Sequence, residues 1–206
     1  MKVLIACEES QNVMAAFRKK GHEAFSCDIK DCSGDYPDYH IKGDVMEVIS
    51  DGWDLLIGHP PCTYLSYAGT RHWNAPGRLE KRLEALDFFA KLWEAPVERI
   101  CLENPKGCAS PTIAKYSQEI QPYYFGDPYM KTTWLWLKNL PKLEYSLKPD
   151  LFNPGQKLIT KPEPIYVDAN GKKRHFTEAQ TGDKNGATIR SKTFKGIAAA
   201  MAEQWG

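Results

Sequence analysis

Short apolar runs alternate with amphipathic segments along most of the chain. Four runs have the length and composition of buried parallel strands: residues 2–6, 23–27, 54–58 and 100–102. Between them, apolar residues spaced three and four positions apart predict helices. The alternation predicts an α/β fold, a Rossmann-like doubly wound sheet that is mainly parallel.

Three helices are predicted to cover this sheet. The first begins near Asn12, whose side chain can cap it, and ends at Gly21. The second begins at Arg78 and ends before Pro96, and its expected buried face consists of Leu79, Leu83, Leu86, Ala90 and Trp93. The third closes the chain, with one apolar face formed by Phe194, Ile197, Ala198, Met201 and Trp205.

Residues 138–187 break this pattern, being rich in Pro, Gly, Lys and Asn with little periodicity. Asp168-Ala169-Asn170-Gly171 is typical of a tight turn between two short strands. Positive residues, among them Lys172, Lys173 and Arg174, outnumber acidic ones here, as on surfaces that meet phosphates, although a merely solvated loop has the same signature. We therefore predict a main domain of residues 1–137 and 188–206 with a small β-rich insertion, 138–187.

Composition narrows the class of protein only slightly. A formal net charge of +1 neither favours nor excludes a nucleic-acid partner. No apolar run approaches the roughly 18 residues of a membrane span, so we expect a cytoplasmic protein without a membrane partner. The six cysteines include no Cys-x-x-Cys pair, so no metal site is expected.

Polar residues with chemical potential follow three of the predicted strands: Asp28, Cys62 and Glu103. The carboxyl ends of parallel strands meet at one edge, so these side chains can converge on one cleft. Pro60 and Pro61 restrict the backbone before Cys62, which suits a nucleophile. Each residue also has a structural alternative: a buried cysteine, a solvated glutamate and an aspartate that caps a turn.

In combination, Pro60-Pro61-Cys62 after one strand and Glu103-Asn104 after the next resemble the DNA (cytosine-5) methyltransferases. The resemblance implies that Cys62 adds to C6 of the base and that Glu103 contacts N3 and the exocyclic amine. C5 then takes the methyl group of S-adenosylmethionine, in two steps that are each easier than direct transfer.

The resemblance covers residues 1–137 and 188–206 and implies roles for further residues. Ala6 and Glu8 lie in the cofactor-loop position, and Pro60 would line the cofactor's side of the site. Asp28 would bind the cofactor ribose, and Asp44, after Gly43, would bind the adenine amine. The base or its phosphate would be contacted by Pro61, Ser66, Asn104 and Lys131.

Three departures from the family pattern shape the expectations. Glu8 and Glu9 replace cofactor-loop glycines, and Lys131 alone stands for a pair of arginines. The insertion is also far shorter than the family's target-recognition domain, and in this the chain resembles short phage-encoded members. A phage-encoded protein would act in the cytoplasm of the bacterial host. We expect methylation of cytosine in DNA, with little sequence specificity and with single strands among the substrates. The alternatives are the same C5 chemistry on a free pyrimidine nucleotide, the same chemistry with a modified cofactor, and an inactive relative that binds nucleic acid.

Overall fold

The computed structural model describes residues 1–145, 159–171, 173–175 and 193–206. The strands of its main sheet are β1 (Lys2–Ala6), β2 (Glu23–Asp28), β3 (His40–Lys42), β4 (Leu55–Gly58), β5 (Arg99–Pro105), β6 (Gln118–Ile120) and β7 (Thr133–Lys138). The helices are α1 (Asn12–Lys19), α2 (Arg78–Trp93), α3 (Ala109–Thr112) and α4 (Lys195–Trp205). A separate hairpin consists of β8 (Tyr166–Val167) and β9 (Lys173–Arg174).

The seven strands lie in the order β3-β2-β1-β4-β5-β7-β6. The first five are parallel, and β7 is antiparallel to both β5 and β6. The chain progresses outward in opposite directions from β1 and β4, so the crevice between these two strands is a topological switch point. The predicted α/β, Rossmann-like doubly wound fold is therefore confirmed.

Burial on both faces explains the apolar strands. Alternate side chains of β1 and β4 enter opposite cores: Leu4 and Leu56 pack beneath Phe89 and Leu92 of α2, whereas Val3 and Leu55 lie on the other face. The second core contains the apolar sides of α1 and α4. Alternating polar residues would place polar atoms in one of these cores, which is why the strands read as continuous apolar runs.

Two details of the predicted helices are wrong. Asn12 does not cap α1: it is the first helical residue, and its side-chain amide donates to the Thr193 carbonyl oxygen. The expected buried face of α2 is confirmed at Leu86 and Trp93, which pack against the core, and is wrong at Leu79 and Leu83, which are 55% and 57% exposed. The buried residues of α2 are Phe89 and Leu92 in its second half.

The carboxyl end of β5 extends further than expected. Glu103 and Asn104 lie within β5 because β7 pairs with them, opposite Leu135 and Trp134. In the segment 107–120, helix α3 occupies only four residues, and the last three residues form β6.

The insertion is described only in part. Its predicted turn is confirmed: Gly171 has φ 75°, and its amide donates to the Asp168 carbonyl between β8 and β9. Residues 139–145 pack against α4 and β6: the Trp205 indole donates to the Pro141 carbonyl oxygen, and the Leu143 backbone exchanges two hydrogen bonds with the Gln118 side chain. Lys172 and most of 146–192 lie outside the described residues, so the domain boundaries stay a prediction. Within the described ranges, no helix has the length and apolar character to cross a membrane.

Candidate active site

Strand register brings the predicted site to one edge of the sheet. Ala6 of β1 lies beside Cys27 of β2 and Gly58 of β4, and Gly58 lies beside Leu102 of β5. The next residue on each strand therefore stands at the same level: Cys7, Asp28, His59 and Glu103. Pro60, which is buried, and the exposed Pro61 then lead to Cys62.

A turn gives the partly buried Cys62 a defined position beyond β4. Its carbonyl oxygen accepts hydrogen bonds from the amides of Leu65 and Ser66, at 3.1 and 2.9 Å. The Leu65 carbonyl oxygen in turn accepts from the Cys108 amide at 2.9 Å, which fastens the turn to the segment after β5. A side chain at Gly107 would not fit there, because its Cβ would lie 2.3 Å from the Leu65 oxygen.

Asn104 joins the two halves of the predicted motif. Its side-chain amide donates to the Pro60 carbonyl oxygen at 2.7 Å, and the residue is 2% exposed. Oδ1 has no partner among the described residues and is left for a substrate. Asn104 therefore positions the Cys62 turn, a role that its predicted substrate contact did not include.

One cation and several hydrogen-bond donors lie around the buried Glu103 carboxylate. His59 Nδ1 lies 3.1 Å from Oε2, and Lys131 Nζ lies 3.9 Å from Oε1. Burial alone would raise the pKa of Glu103, but the charge of Lys131 and hydrogen bonds from His59 and Thr133 outweigh it and lower that pKa to about 2. Glu103 is thus ionised at neutral pH and accepts hydrogen bonds.

Sequence reasoning assigned no role to His59, although it directly precedes Pro60. Its side chain is 7% exposed, and Nδ1 also lies 3.3 Å from the Thr193 hydroxyl. Nε2 is buried and has no partner among the described residues. The position of His59 in the sequence could have indicated a role. It directly follows β4, beside the switch point at which doubly wound sheets bind ligands.

The β1–α1 loop keeps the tight backbone of a glycine-rich loop without its glycines. Cys7 and Gln11 both have φ 59°, in the left-handed region that costs other residues about 1–2 kcal/mol. Glu8 is buried, and its carboxylate accepts from the Val13 and Met14 amides at the start of α1, at 2.7 and 3.1 Å. Its side chain is thus occupied within the chain, so its predicted cofactor contact is left to the backbone. Ala6 could likewise contact a cofactor only through its backbone, because its side chain lies in the core.

Two carboxylates occupy the outer part of this edge. Asp28 accepts from the Lys30 amide, Asp44 accepts from the Met46 amide, and the Gly43 amide donates to the Asp28 carbonyl. Burial raises the pKa of the Cys7 thiol, and the negative charges of Asp28 and Asp44 raise it further. Both acids therefore lie near the carboxyl end of β1. Ile29, beside Asp28, is 75% exposed. Two acids and an exposed apolar side chain fit the hydroxyls, amine and flat face of an adenosine group.

The remaining predicted contacts have local roles as well. The Ser66 hydroxyl accepts from the Ala68 amide, which begins the short 3₁₀ helix Tyr67–His72 beyond Cys62. Lys131 is brought to Glu103, as described above, from the segment before β7. In the described ranges, no cluster of three or more His, Cys, Asp or Glu side chains could hold a metal ion.

Comparisons with known proteins find similarity to solved structures and to nothing else. No protein-family model matches the chain, and no curated protein matches it. A crystal structure from E. coli, described as that of a DNA modification methyltransferase encoded within a prophage, is similar over 71% of this chain, with 15% identity and a TM-score of 0.44. The matched part is 49% of that structure's chain, so the present chain spans about half its length. The fold assignment given above rests on strand order and register, not on this similarity.

Proposed function

We propose that this protein transfers a methyl group from S-adenosylmethionine to C5 of cytosine in DNA, through a covalent adduct with Cys62. The observation that supports this best is the link between the two parts of the motif. Asn104, adjacent to Glu103, donates to Pro60, two residues before Cys62. This link supports a nucleophile and an acceptor for a pyrimidine ring at the neighbouring carboxyl ends of β4 and β5, beside the switch point.

In this proposal Cys62 attacks C6 as a thiolate, and the ring electrons move toward N3. The Glu103 carboxylate accepts hydrogen bonds from the exocyclic amine and from N3 once that atom carries a proton. Lys131 keeps Glu103 ionised and, by its charge, favours electron-rich forms of the ring. Asn104 and the backbone contacts of Leu65 keep the Cys62 turn in place while the ring geometry changes.

S-adenosylmethionine would supply an electrophilic methyl group at the cleft. The residues fit this cofactor at its adenosine end, where Asp28 and Asp44 would take the ribose hydroxyls and the adenine amine. The left-handed backbone at Cys7 permits close approach of a ligand despite the missing glycines.

Product analysis tests the proposal directly. The protein is incubated with S-adenosylmethionine and single- or double-stranded DNA, and the DNA is digested to nucleosides for mass spectrometry. We expect 5-methyldeoxycytidine from the parent and from Cys32→Ala, a matched change at another partly buried cysteine. The Cys62→Ala variant should give none. Methylation at an amino group, or product from Cys62→Ala, would contradict the proposal.

A free pyrimidine nucleotide is the second candidate substrate. Its support is the described part of the insertion, in which two-residue strands form the hairpin and offer little surface for reading a DNA sequence. A parallel incubation with dCMP separates the two. Product on dCMP and none on DNA would replace the leading proposal with this one.

A further inference from the structure

His59 is a buried histidine for which the mechanism above has no use. It bridges the two halves of the sheet, since β4 pairs with β1 on one side and with β5 on the other. Nδ1 contacts Glu103 of β5 and the hydroxyl of Thr193, just before α4. Burial raises the pKa of Glu8 and the charge of His59 acts to lower it, so Glu8 of the β1–α1 loop lies near the imidazole.

Two buried acids lie near the ring: the ionised Glu103, and Glu8, whose pKa is raised by burial. Lys131 lies at the far side of Glu103. Because a carboxylate only accepts, Nδ1 must donate its N–H to Glu103.

Addition of a thiolate to cytosine requires a proton at N3. When the C6–S bond forms, the C5=C6 pair moves to C4=C5 and the C4=N3 pair comes to rest on N3. Glu103 is ionised at neutral pH, because its surroundings lower its pKa to about 2, and so it has no proton of its own to give. The proton must come from a group that contacts Glu103.

We propose that His59 is the proton source of this site and acts through Glu103. As Cys62 adds to C6, the imidazolium form of His59 gives its Nδ1 proton to the Glu103 carboxylate and becomes a neutral imidazole, and the carboxylic acid formed at Glu103 passes that proton to N3. When the C5 proton leaves to water and the C6–S bond breaks, the N3 proton returns through Glu103 to His59. The relay is thereby restored, and the one proton released per turnover is the C5 proton taken up by water. This inference rests on the proposed function, since it needs the adduct of Cys62 with the base.

The adduct can be measured without any cofactor. In heavy water, reversible addition makes C5 nucleophilic, so C5 of cytosine takes up deuterium when the ring is released. The probes are a single-stranded DNA oligonucleotide containing cytosine and the same oligonucleotide with pyrimidin-2-one in its place. Pyrimidin-2-one lacks the amine and is more electrophilic, so its addition depends less on protonation at N3.

His59→Asn is the decisive variant, because its amide can still donate to Glu103 but cannot release a proton at neutral pH. We expect exchange at cytosine to fall by about 100-fold or more, as for loss of a general acid. Adduct formation with pyrimidin-2-one should remain as in the parent. His22→Asn, which changes a histidine before β2 at the opposite edge of the sheet, should leave both reactions unchanged.

The outcomes separate this inference from the function on which it rests. If the parent reacts with both oligonucleotides and His59→Asn exchanges cytosine at the parent's rate, the relay is wrong and the adduct stands. Equal losses on both bases would assign His59 a structural role and overturn the relay. If the parent reacts with neither base and Cys62→Ala matches it, the proposed function fails and the relay fails with it.

Discussion

Replacing Glu103 by Gln gives the sharpest test of the electrostatics at the site. Glutamine has the size of the protonated acid, so the variant removes the charge between Lys131 and His59 and little else. The pKa of Glu103 falls from 4.5 to about 2 in the folded protein. At about 1.4 kcal/mol for each pKa unit, ionised Glu103 stabilises the fold by about 3 kcal/mol at neutral pH. Because the side chain is only 9% exposed, solvent screens little of this.

The sign of the pH dependence follows from the depressed pKa. A lowered folded-state pKa gives stability that is complete above the unfolded value of 4.5 and is lost as the pH falls toward 2. The difference in unfolding free energy between the parent and Glu103→Gln should therefore shrink from about 3 kcal/mol at pH 7 to about 1 kcal/mol at pH 3. Urea unfolding, followed by tryptophan fluorescence at both pH values, measures it.

The matched control is Glu119→Gln. Glu119 is exposed and accepts a hydrogen bond from the Trp134 indole, so the same chemical change there should alter stability little at either pH. Burial raises the pKa of Glu8, so this residue also makes stability depend on pH. Because Glu8 is present in both the parent and the variant, its contribution cancels from the difference in unfolding free energy. An equal parent-minus-variant difference at pH 7 and pH 3 would refute the description of Glu103 as a carboxylate held ionised by its neighbours.

Three further changes probe how the site is held. Asn104→Ala removes the buried hydrogen bond to Pro60 and should lower the unfolding free energy by about 1–3 kcal/mol, with a larger loss in adduct rate than in DNA affinity measured by fluorescence anisotropy. Gly107→Ala forces a Cβ against the Leu65 oxygen and should cost about 1–3 kcal/mol in urea unfolding, whereas Gly43→Ala, where the nearest atom lies 3.8 Å away, should cost less; equal costs would contradict the tight packing. Glu8→Ala removes the acceptor at the start of α1 and should cost about 0.5–2 kcal/mol in the same assay, and an unchanged midpoint would show that the cap has no energetic weight.

Most of the fold could be predicted because burial dictates the local pattern. Strands β1 and β4 are apolar from Val3 to Ala6 and from Leu55 to Gly58, since both faces of the sheet are covered there. A short apolar run bounded by polar residues is typical of such a strand. The α2 face was misjudged because its spacing places Leu79 and Leu83 with Leu86, whereas tertiary contacts decide which half of a helix is covered.

The sequence allowed the main residues of the site to be predicted, but not the hydrogen bonds between them. Cys62 and Glu103 could be paired from their motif, whereas the link from Asn104 to Pro60 depends on how two loops meet. His59 and Thr193 are separated by 134 positions, so no local pattern indicates their contact. Backbone strain at Cys7 is equally hidden, because its residue type suggests no left-handed conformation.

The covalent bond between Cys62 and a cytosine ring is the most direct test of the proposed chemistry. DNA containing 5-fluorocytosine cannot lose its C5 substituent after methyl transfer, so the adduct should accumulate when S-adenosylmethionine is present. Proteolysis and mass spectrometry of the trapped complex should then find the modified base on the peptide that contains Cys62, with no adduct in Cys62→Ala. A base attached to another cysteine, or equal trapping by Cys62→Ala, would contradict the central claim.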